Sequence, residues 1–265
     1  MYYEFTNHSH YPEVRRRKKG QIMLLDEAIQ IMKNEIVSIL DDNNSSIYLF
    51  GSIVLDDFHL GWSDIDIVVL TESVINEQKT DKLVVLRQRL LERYPGNPYF
   101  RLFEGGMISA EAFLNGKNER TVYWGTSGQR ITDGYRMDSF GMAELLDKGI
   151  RLHGVDIRNK MTYPTYAQMR DDIANHVKLA RKYGNTVGWL LDIARGIYTL
   201  RTGKIIAKTT AGEWVLENGL CPDTDAMRRA IQCRKEAYAN PEMKMDNTVI
   251  QRFADVIDRE LTSWH

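Results

Sequence analysis

The hydrophobic positions in the first half of the chain change their period several times. Residues 21–40 ("QIMLLDEAIQIMKNEIVSIL") carry apolar side chains at helical spacing, and a polar run follows them. Short apolar runs at residues 47–50 and 65–71 are typical of strands. The pattern then predicts a helix over residues 80–94 and one or two further strands over residues 99–113. This order indicates a small mixed α/β sheet.

From Asp138 onward the pattern changes to successive helices with little strand signal. The predicted helices lie in residues 138–150, 166–184, 186–203, 209–219, 225–239 and 246–261. We therefore expect two domains. An α/β (α+β) domain with a mixed sheet occupies residues 1–155, and an all-α helical bundle occupies residues 156–265.

The composition limits the partners that the chain as a whole can attract. Its 265 residues include 35 Lys+Arg and 36 Asp+Glu, for a formal net charge of -1. A near-neutral chain without a basic, aromatic-rich stripe gives no reason to expect nucleic acid or an anionic membrane as a partner. The first 20 residues contain no apolar segment of a signal peptide, and no run of 18 apolar residues occurs. The two cysteines, Cys221 and Cys233, have no metal-ligand spacing, and a reducing cytoplasm fits best.

Two aspartates stand one residue apart where a strand is predicted to begin. In "LFGSIVLDDFHLGWSDIDIVVL", Gly51-Ser52 follows one predicted strand, and Asp64 and Asp66 open the next. Side chains alternate along a strand, so both carboxylates point to one face. The simpler alternative is a turn with strand-flanking aspartates. The combined spacing favours a site, because neighbouring carboxylates repel each other unless a hard cation joins them, and Mg²⁺ is usually held together with substrate phosphates.

The stretch "GSIVLDDFHLGWSDID" resembles the signature of the polymerase β-like nucleotidyltransferase superfamily. The resemblance implies transfer of a nucleoside monophosphate from a nucleoside triphosphate to an acceptor hydroxyl, with a third acid on a neighbouring strand. Glu104 and Glu111 are the candidates. Glu104 lies among apolar residues of a predicted strand, where an unpaired carboxylate is unfavourable unless it has a function. We assign Glu104 as the general base, with a water-facing edge-strand glutamate as the alternative.

Residues 192–220 ("DIARGIYTLRTGKIIAKTTAGEWVLENGL") are similar to the helical domain of the aminoglycoside adenylyltransferases that modify streptomycin and spectinomycin. The shared pattern is A-R-x-x-Y-T-x-x-T-G-K, then A-K, then A-x-x-W in a helix. The resemblance implies the following roles: phosphate contacts for Ser52 and Ser63, Mg²⁺ ligands for Asp64 and Asp66, the base for Glu104, and triphosphate contacts for Arg195 and Lys208. Gly51 has no side chain, so the backbone there is expected to approach a phosphate closely. Cations are also expected on physical grounds, because the pyrophosphate leaving group is anionic. A solvated helix charge is the alternative for Arg195 and Lys208.

The chain departs from these drug-modifying enzymes just before that helix. Where they carry an acidic residue and a histidine, this chain has Asn185 and Gly188. Aminoglycosides are polycations that carboxylates usually recognise, so the change weakens the case for streptomycin. Asn185 and the nearby Asp192 are candidate acceptor contacts, with a solvated helix face as the alternative for Asp192. Trp124 is a third candidate, as an aromatic wall of the cleft, with the core as its alternative position.

These features predict an Mg²⁺-dependent enzyme that moves AMP from ATP to a hydroxyl of an aminoglycoside or aminocyclitol, spectinomycin or streptomycin, and releases pyrophosphate. One alternative keeps this chemistry but uses a protein side chain, a lincosamide or another alcohol as acceptor. Another is a nucleotide-binding module without catalysis. The three acids and Arg195 argue against the module, because a binder needs no base. ATP and a small acceptor are the expected partners of a cytoplasmic monomer.

Overall fold

The computed structural model describes residues 23–42, 44–125, 128–236 and 244–263. Within these ranges one sheet contains six strands: β1 (Ser46–Phe50), β2 (Ile65–Thr71), β3 (Phe103–Ser109), β4 (Thr121–Gly125), β5 (Gly128–Thr132) and β6 (Ile150–His153). The same ranges contain ten α-helices: α1 (Leu25–Leu40), α2 (Glu77–Val84), α3 (Leu86–Arg93), α4 (Ala110–Asn115), α5 (Ser139–Asp147), α6 (Tyr166–Tyr183), α7 (Val187–Thr202), α8 (Lys208–Glu217), α9 (Thr224–Lys235) and α10 (Asn247–Ser263). The expectation about the first 20 residues lies outside the described ranges.

The sheet has the strand order β5-β4-β3-β2-β1-β6. Strands β2 and β3 run parallel, and each of the other pairs is antiparallel. A parallel pair requires a crossover connection, which α2 and α3 supply. The register places Asp66 of β2 beside Phe50 of β1 and Glu104 of β3. The predicted mixed sheet is confirmed.

Alternating side chains give the sheet two apolar faces. Ile47 and Leu49 of β1 belong to the core formed with α1, α2 and α3. Tyr48 and Phe50 belong to a smaller cluster on the other face, together with residues such as Leu145 of α5. Helices therefore cover both faces of the sheet. The connection from the end of β1 to the start of β2 lies at one end of these strands, and α5 packs against β1.

The helices from α6 to α10 pack around a third and separate apolar core. Helix α7 lies at its centre and contacts α6, α8, α9 and α10. This arrangement confirms the predicted helical part. Strand β6 ends at His153 and α6 begins at Tyr166, so the boundary between residues 155 and 156 falls in the connection and stays a prediction. None of the described helices is long and apolar enough to cross a membrane.

Some predicted elements differ from the structure. Residues 99–113 contain one of the predicted one or two strands, β3, preceded by a short 3₁₀ helix. A second strand does not form, because the Ser109 side chain accepts a hydrogen bond from the Ala112 amide and so caps the start of α4. The helix predicted over residues 80–94 is divided at Val85 into α2 and α3. Strands β4, β5 and β6 were not predicted. Of these, β6 is a four-residue edge strand whose length gives little periodic signal.

Candidate active site

The connection between β1 and β2 forms one wall of the candidate site. Gly51 has a φ of 72°, which favours glycine, and a Cβ atom at this position would lie 2.0 Å from Asp66 Oδ2. The Ser52 hydroxyl donates to the Asp64 carbonyl at 3.5 Å, and Ser63 is buried. The missing side chain of Gly51 therefore lets the loop backbone approach the Asp66 carboxylate closely.

Four acidic side chains meet where this connection joins the sheet. Asp64 directly precedes β2, and Asp66 lies within it. The parallel register brings Glu104 of β3 beside Asp66, and a hydrogen bond joins the carboxyl groups of Asp64 and Glu104. Glu144 of α5, which is buried, faces the same space. The order of strands thus brings the three predicted acids together and adds one that the sequence did not indicate.

Burial and mutual repulsion make these carboxyl groups hard to ionise together. Burial raises the pKa of Asp66 to about 8, and the charges of Glu144, Asp64 and Glu104 act in the same direction. Burial also raises the pKa of Asp64, although the hydrogen bond with Glu104 and the charge of Lys208 oppose it. Burial likewise raises the pKa of Glu144. The site therefore has more acidic groups than it can keep ionised without added positive charge.

Two cations from the helical part face these acids. Arg195 of α7 donates from Nη1 to Glu144 Oε1 at 3.0 Å, and its Nη2 lies 3.5 Å from Asp192 Oδ1. Lys208, the first residue of α8, places Nζ 2.8 Å from Asp192 Oδ1. These pairs hold both cations at the wall of the site, so neither is a freely solvated helix charge. They also neutralise part of the negative charge that the acids concentrate there.

A cavity of about 280 Å³ lies between the ends of strands β1, β2 and β3 and the helices. Its lining contains all eight residues for which the sequence predicted nucleotide, metal or base roles: Gly51, Ser52, Ser63, Asp64, Asp66, Glu104, Arg195 and Lys208. Acids and loop hydroxyls occupy one side and the two cations another. A polyanion with a metal ion suits this distribution of charge.

A second cavity of about 410 Å³ shares the carboxyl groups of Asp66 and Glu104 with the first. The rings of Tyr123 and Tyr135 line it with centroids 6.1 Å apart, and the Arg130 guanidinium lies 4.5 Å from the Tyr123 ring. Glu104 therefore borders two spaces, one rich in phosphate-binding groups and one partly aromatic. A base in this position can reach a group that enters from the second space.

The three residues predicted to contact the acceptor do not line the first cavity. The prediction of a cleft-lining Trp124 is wrong: the residue is 0% exposed, and its Nε1 donates to the Leu83 carbonyl at 3.1 Å within the core. Asn185 is exposed in the connection between α6 and α7 and lines neither cavity. Asp192 is half-buried, pairs with Lys208 and borders a third cavity of about 190 Å³ beside His176. It does not lie on a solvated helix face.

Several charged residues of the site escaped the sequence analysis. Arg87 of α3 is buried and donates from Nη1 to the Phe103 carbonyl at 2.7 Å, at the start of β3. The signal for Arg87 is a charged residue among apolar positions of a predicted helix. Arg87 does not line the first cavity, whereas Asp57 and Arg234 do. They are 177 residues apart, and no local pattern connects them.

The donor set fits a hard divalent cation at the two aspartates. The described residues contain no group of three or more His, Cys, Asp or Glu side chains arranged to hold a metal ion. Asp64 and Asp66 nevertheless offer carboxylate oxygens beside a phosphate-sized cavity, and Mg²⁺ commonly takes only one or two carboxylates together with phosphates and water. Burial, and after it the neighbouring negative charges, raise the pKa of Asp66, and a bound cation would oppose both effects.

Comparison with known proteins agrees with this geometry. A family model described as nucleotidyltransferase domain matches residues 30–99, and one described as aminoglycoside adenylyltransferase, C-terminal domain, matches residues 165–260. A crystal structure of spectinomycin adenyltransferase AAD(9) from Enterococcus faecialis with ATP and spectinomycin matches with a TM-score of 0.60 and 18% identity, covering 88% of this chain and 99% of that chain. At this identity the likeness supports the fold. No curated protein sequence gave a significant match. The chain therefore combines a match to the nucleotidyltransferase domain with a match to the C-terminal domain of the aminoglycoside adenylyltransferases, in this order.

Proposed function

We propose that the chain transfers AMP from ATP to a hydroxyl of an aminocyclitol or aminoglycoside, such as spectinomycin or streptomycin, and releases pyrophosphate. One observation carries this proposal. Asp64, Asp66 and Glu104 of the sheet line the same cavity as Arg195 and Lys208 of the helical part. A nucleoside triphosphate needs acids that hold a metal ion, cations for the leaving group and a base for the acceptor, and this cavity brings together groups of all three kinds.

The triphosphate is proposed to lie along the first cavity. The hydroxyls of Ser52 and Ser63 and the backbone at Gly51 would contact its phosphates. Arg195 and Lys208 would hold the β- and γ-phosphates and stabilise the charge that develops on pyrophosphate. Both cations are ion-paired with acids here, so the triphosphate would compete with those acids for them.

Asp64 and Asp66 would hold Mg²⁺. When bound, this ion would neutralise charge on the phosphate oxygens. Glu104 is proposed to remove the proton from the acceptor hydroxyl, whose oxygen then bonds to the α-phosphorus while the bond to the pyrophosphate oxygen breaks. The position of Glu104 between both cavities supports this role, because the acceptor would enter through the cavity that holds Tyr123 and Tyr135.

The alternative keeps the same chemistry with another acceptor, such as a protein side chain or a lincosamide. Two observations favour it. Trp124 lies in the core, and Asn185 lines neither cavity, so of the three predicted acceptor contacts only Asp192 borders a cavity. The solved neighbour, crystallised with ATP and spectinomycin, supports the drug acceptor.

The decisive experiment follows the label of [α-³²P]ATP into acceptors, including spectinomycin, streptomycin, a lincosamide and protein substrates, with Mg²⁺ present. Thermal-shift titration with the two aminocyclitol-containing drugs accompanies it. We expect labelled product and a higher melting temperature with at least one of the two, with spectinomycin ahead of streptomycin. No response to either would reject the drug acceptor. ATP binding without transfer to any acceptor would favour a non-catalytic nucleotide-binding module.

A further inference from the structure

A buried ion pair joins the two halves of the chain beside the nucleotide cavity. Asp57 of the β1–β2 connection and Arg234 in the last turn of α9 are each only 5% exposed. Arg234 donates from Nε and Nη2 to Asp57 Oδ2 at 3.1 and 3.0 Å. Its Nη2 also donates to the Asp57 carbonyl at 3.2 Å and to Ser63 Oγ at 3.3 Å. One guanidinium therefore contacts the carboxylate, the backbone and a serine of the loop.

Asp57 also takes the place of a missing helix cap. Ala207, the N-cap residue of α8, makes no side-chain hydrogen bond. The amide of Thr209 near the start of α8 donates instead to Asp57 Oδ2 at 3.4 Å, the kind of contact that an N-cap side chain makes. A negative group is also favourable at this end of a helix. The start of α8, which carries Lys208, is thus capped by the other half of the chain.

The charge on Asp57 is well stabilised despite its burial. Burial acts to raise the pKa of Asp57, but the hydrogen bond with His59 and the charge of Arg234 hold that pKa well below its usual range. His59 Nε2 lies 3.1 Å from Asp57 Oδ1, the oxygen that Arg234 does not use. Both carboxylate oxygens therefore have partners, as a buried ion pair requires.

We propose that Asp57 and Arg234 are positioning residues for nucleotidyl transfer. The pair holds the loop that carries Ser52 and Ser63 at a fixed distance from the helix that carries Lys208. The triphosphate then meets both sides of its cavity already in place, which lowers the ordering required on binding. The inference rests on the proposed ATP site, but the tie between loop and helix can be measured without activity.

The test compares Arg234→Lys with Asp57→Asn and with a control, Arg201→Gln. Lysine keeps the charge of Arg234 but loses the fork that reaches both the carboxylate and the loop backbone. Arg201 pairs with Glu260 at 2.7 Å wholly within the helical part and does not line the cavity. For each protein the KM for ATP, kcat, the melting temperature and amide hydrogen exchange are measured. Asp57→Asn provides a second, nearly isosteric variant if Arg234→Lys does not fold.

We expect a folded Arg234→Lys protein with the KM for ATP raised about tenfold or more. Exchange should become faster in residues 52–63 and in the first turn of α8, with Arg201→Gln unchanged in both respects. Unchanged KM and exchange would overturn the proposal, and so would faster exchange at unchanged KM, which would indicate a purely structural bridge. If the wild-type chain binds no ATP, the proposed function fails. Amide hydrogen exchange would then show, independently of ATP, whether the Asp57–Arg234 pair holds the loop against α8.

Discussion

Replacing Gly51 with alanine should lower turnover about 100-fold without unfolding the protein. The φ of 72° at Gly51 is unfavourable for alanine by about 1–2 kcal/mol. The new Cβ would lie 2.0 Å from Asp66 Oδ2, and because real contacts of this kind are essentially never below 3.0 Å, the carboxylate or the loop must retreat by about 1 Å. A displacement of about 1 Å at reacting groups can reduce turnover roughly 100-fold. We expect a loss of that order.

Gly61 of the same connection provides the matched control. Its φ is 94°, but no atom lies within 4 Å of the position that a Cβ would occupy. Gly61→Ala therefore shares the backbone penalty of Gly51→Ala and lacks the clash with Asp66. Pyrophosphate release with the best acceptor and thermal unfolding are measured for both variants. We expect Gly51→Ala to lose at least as much stability as Gly61→Ala, and turnover to fall about 100-fold only in Gly51→Ala. Equal activity in the two variants would refute the reasoning about Asp66.

Three further predictions concern the base, the core and the buried acid. Glu104→Gln should lower turnover about 10²–10⁴-fold and retain ATP binding by calorimetry, and unchanged turnover would remove Glu104 as the base. Trp124→Phe should lower the free energy of unfolding by about 1–3 kcal/mol, because the Leu83 carbonyl loses its hydrogen-bond donor. The KM for the acceptor should stay unchanged. An altered KM at unchanged stability would contradict the core position of Trp124. In metal-free buffer, stability should rise as pH falls from about 8 towards the unfolded-state pKa of 3.8, because folded Asp66 retains a proton that the unfolded chain has lost. Asp66→Asn should reduce this slope in chemical denaturation across pH, and equal slopes would argue against the raised pKa.

The residues whose clustering the sequence predicts from local pattern alone lie in one short segment. Gly51, Asp64 and Asp66 lie within one strand–loop–strand unit, so their spacing and the alternation of a strand suffice to place them together. Glu104 followed from an acid within an apolar strand, although its position beside Asp66 depends on a parallel pairing that periodicity does not specify. Arg195 and Lys208 were found only through the resemblance to a known family.

Other features depend on contacts that no local pattern encodes. The aromatic run around Trp124 has the same apolar character whether it lines a cleft or fills a core, and the Leu83 carbonyl that fixes its position lies 41 residues away. The start of α4 depends on the side chain of Ser109 as a cap, within a run that also suits a strand. The partner of Asp57 lies in another part of the chain altogether. Tertiary pairing decides each of these cases.

The most direct test of the central claim is a crystal structure with a non-hydrolysable ATP analogue and Mn²⁺, whose anomalous signal locates the metal ion. We expect the metal within about 2.0–2.2 Å of carboxylate oxygens of Asp64 and Asp66. The triphosphate should lie in the 280 Å³ cavity, in contact with Arg195 and Lys208. Aspartates that bind no metal and point away from the phosphates would contradict the account.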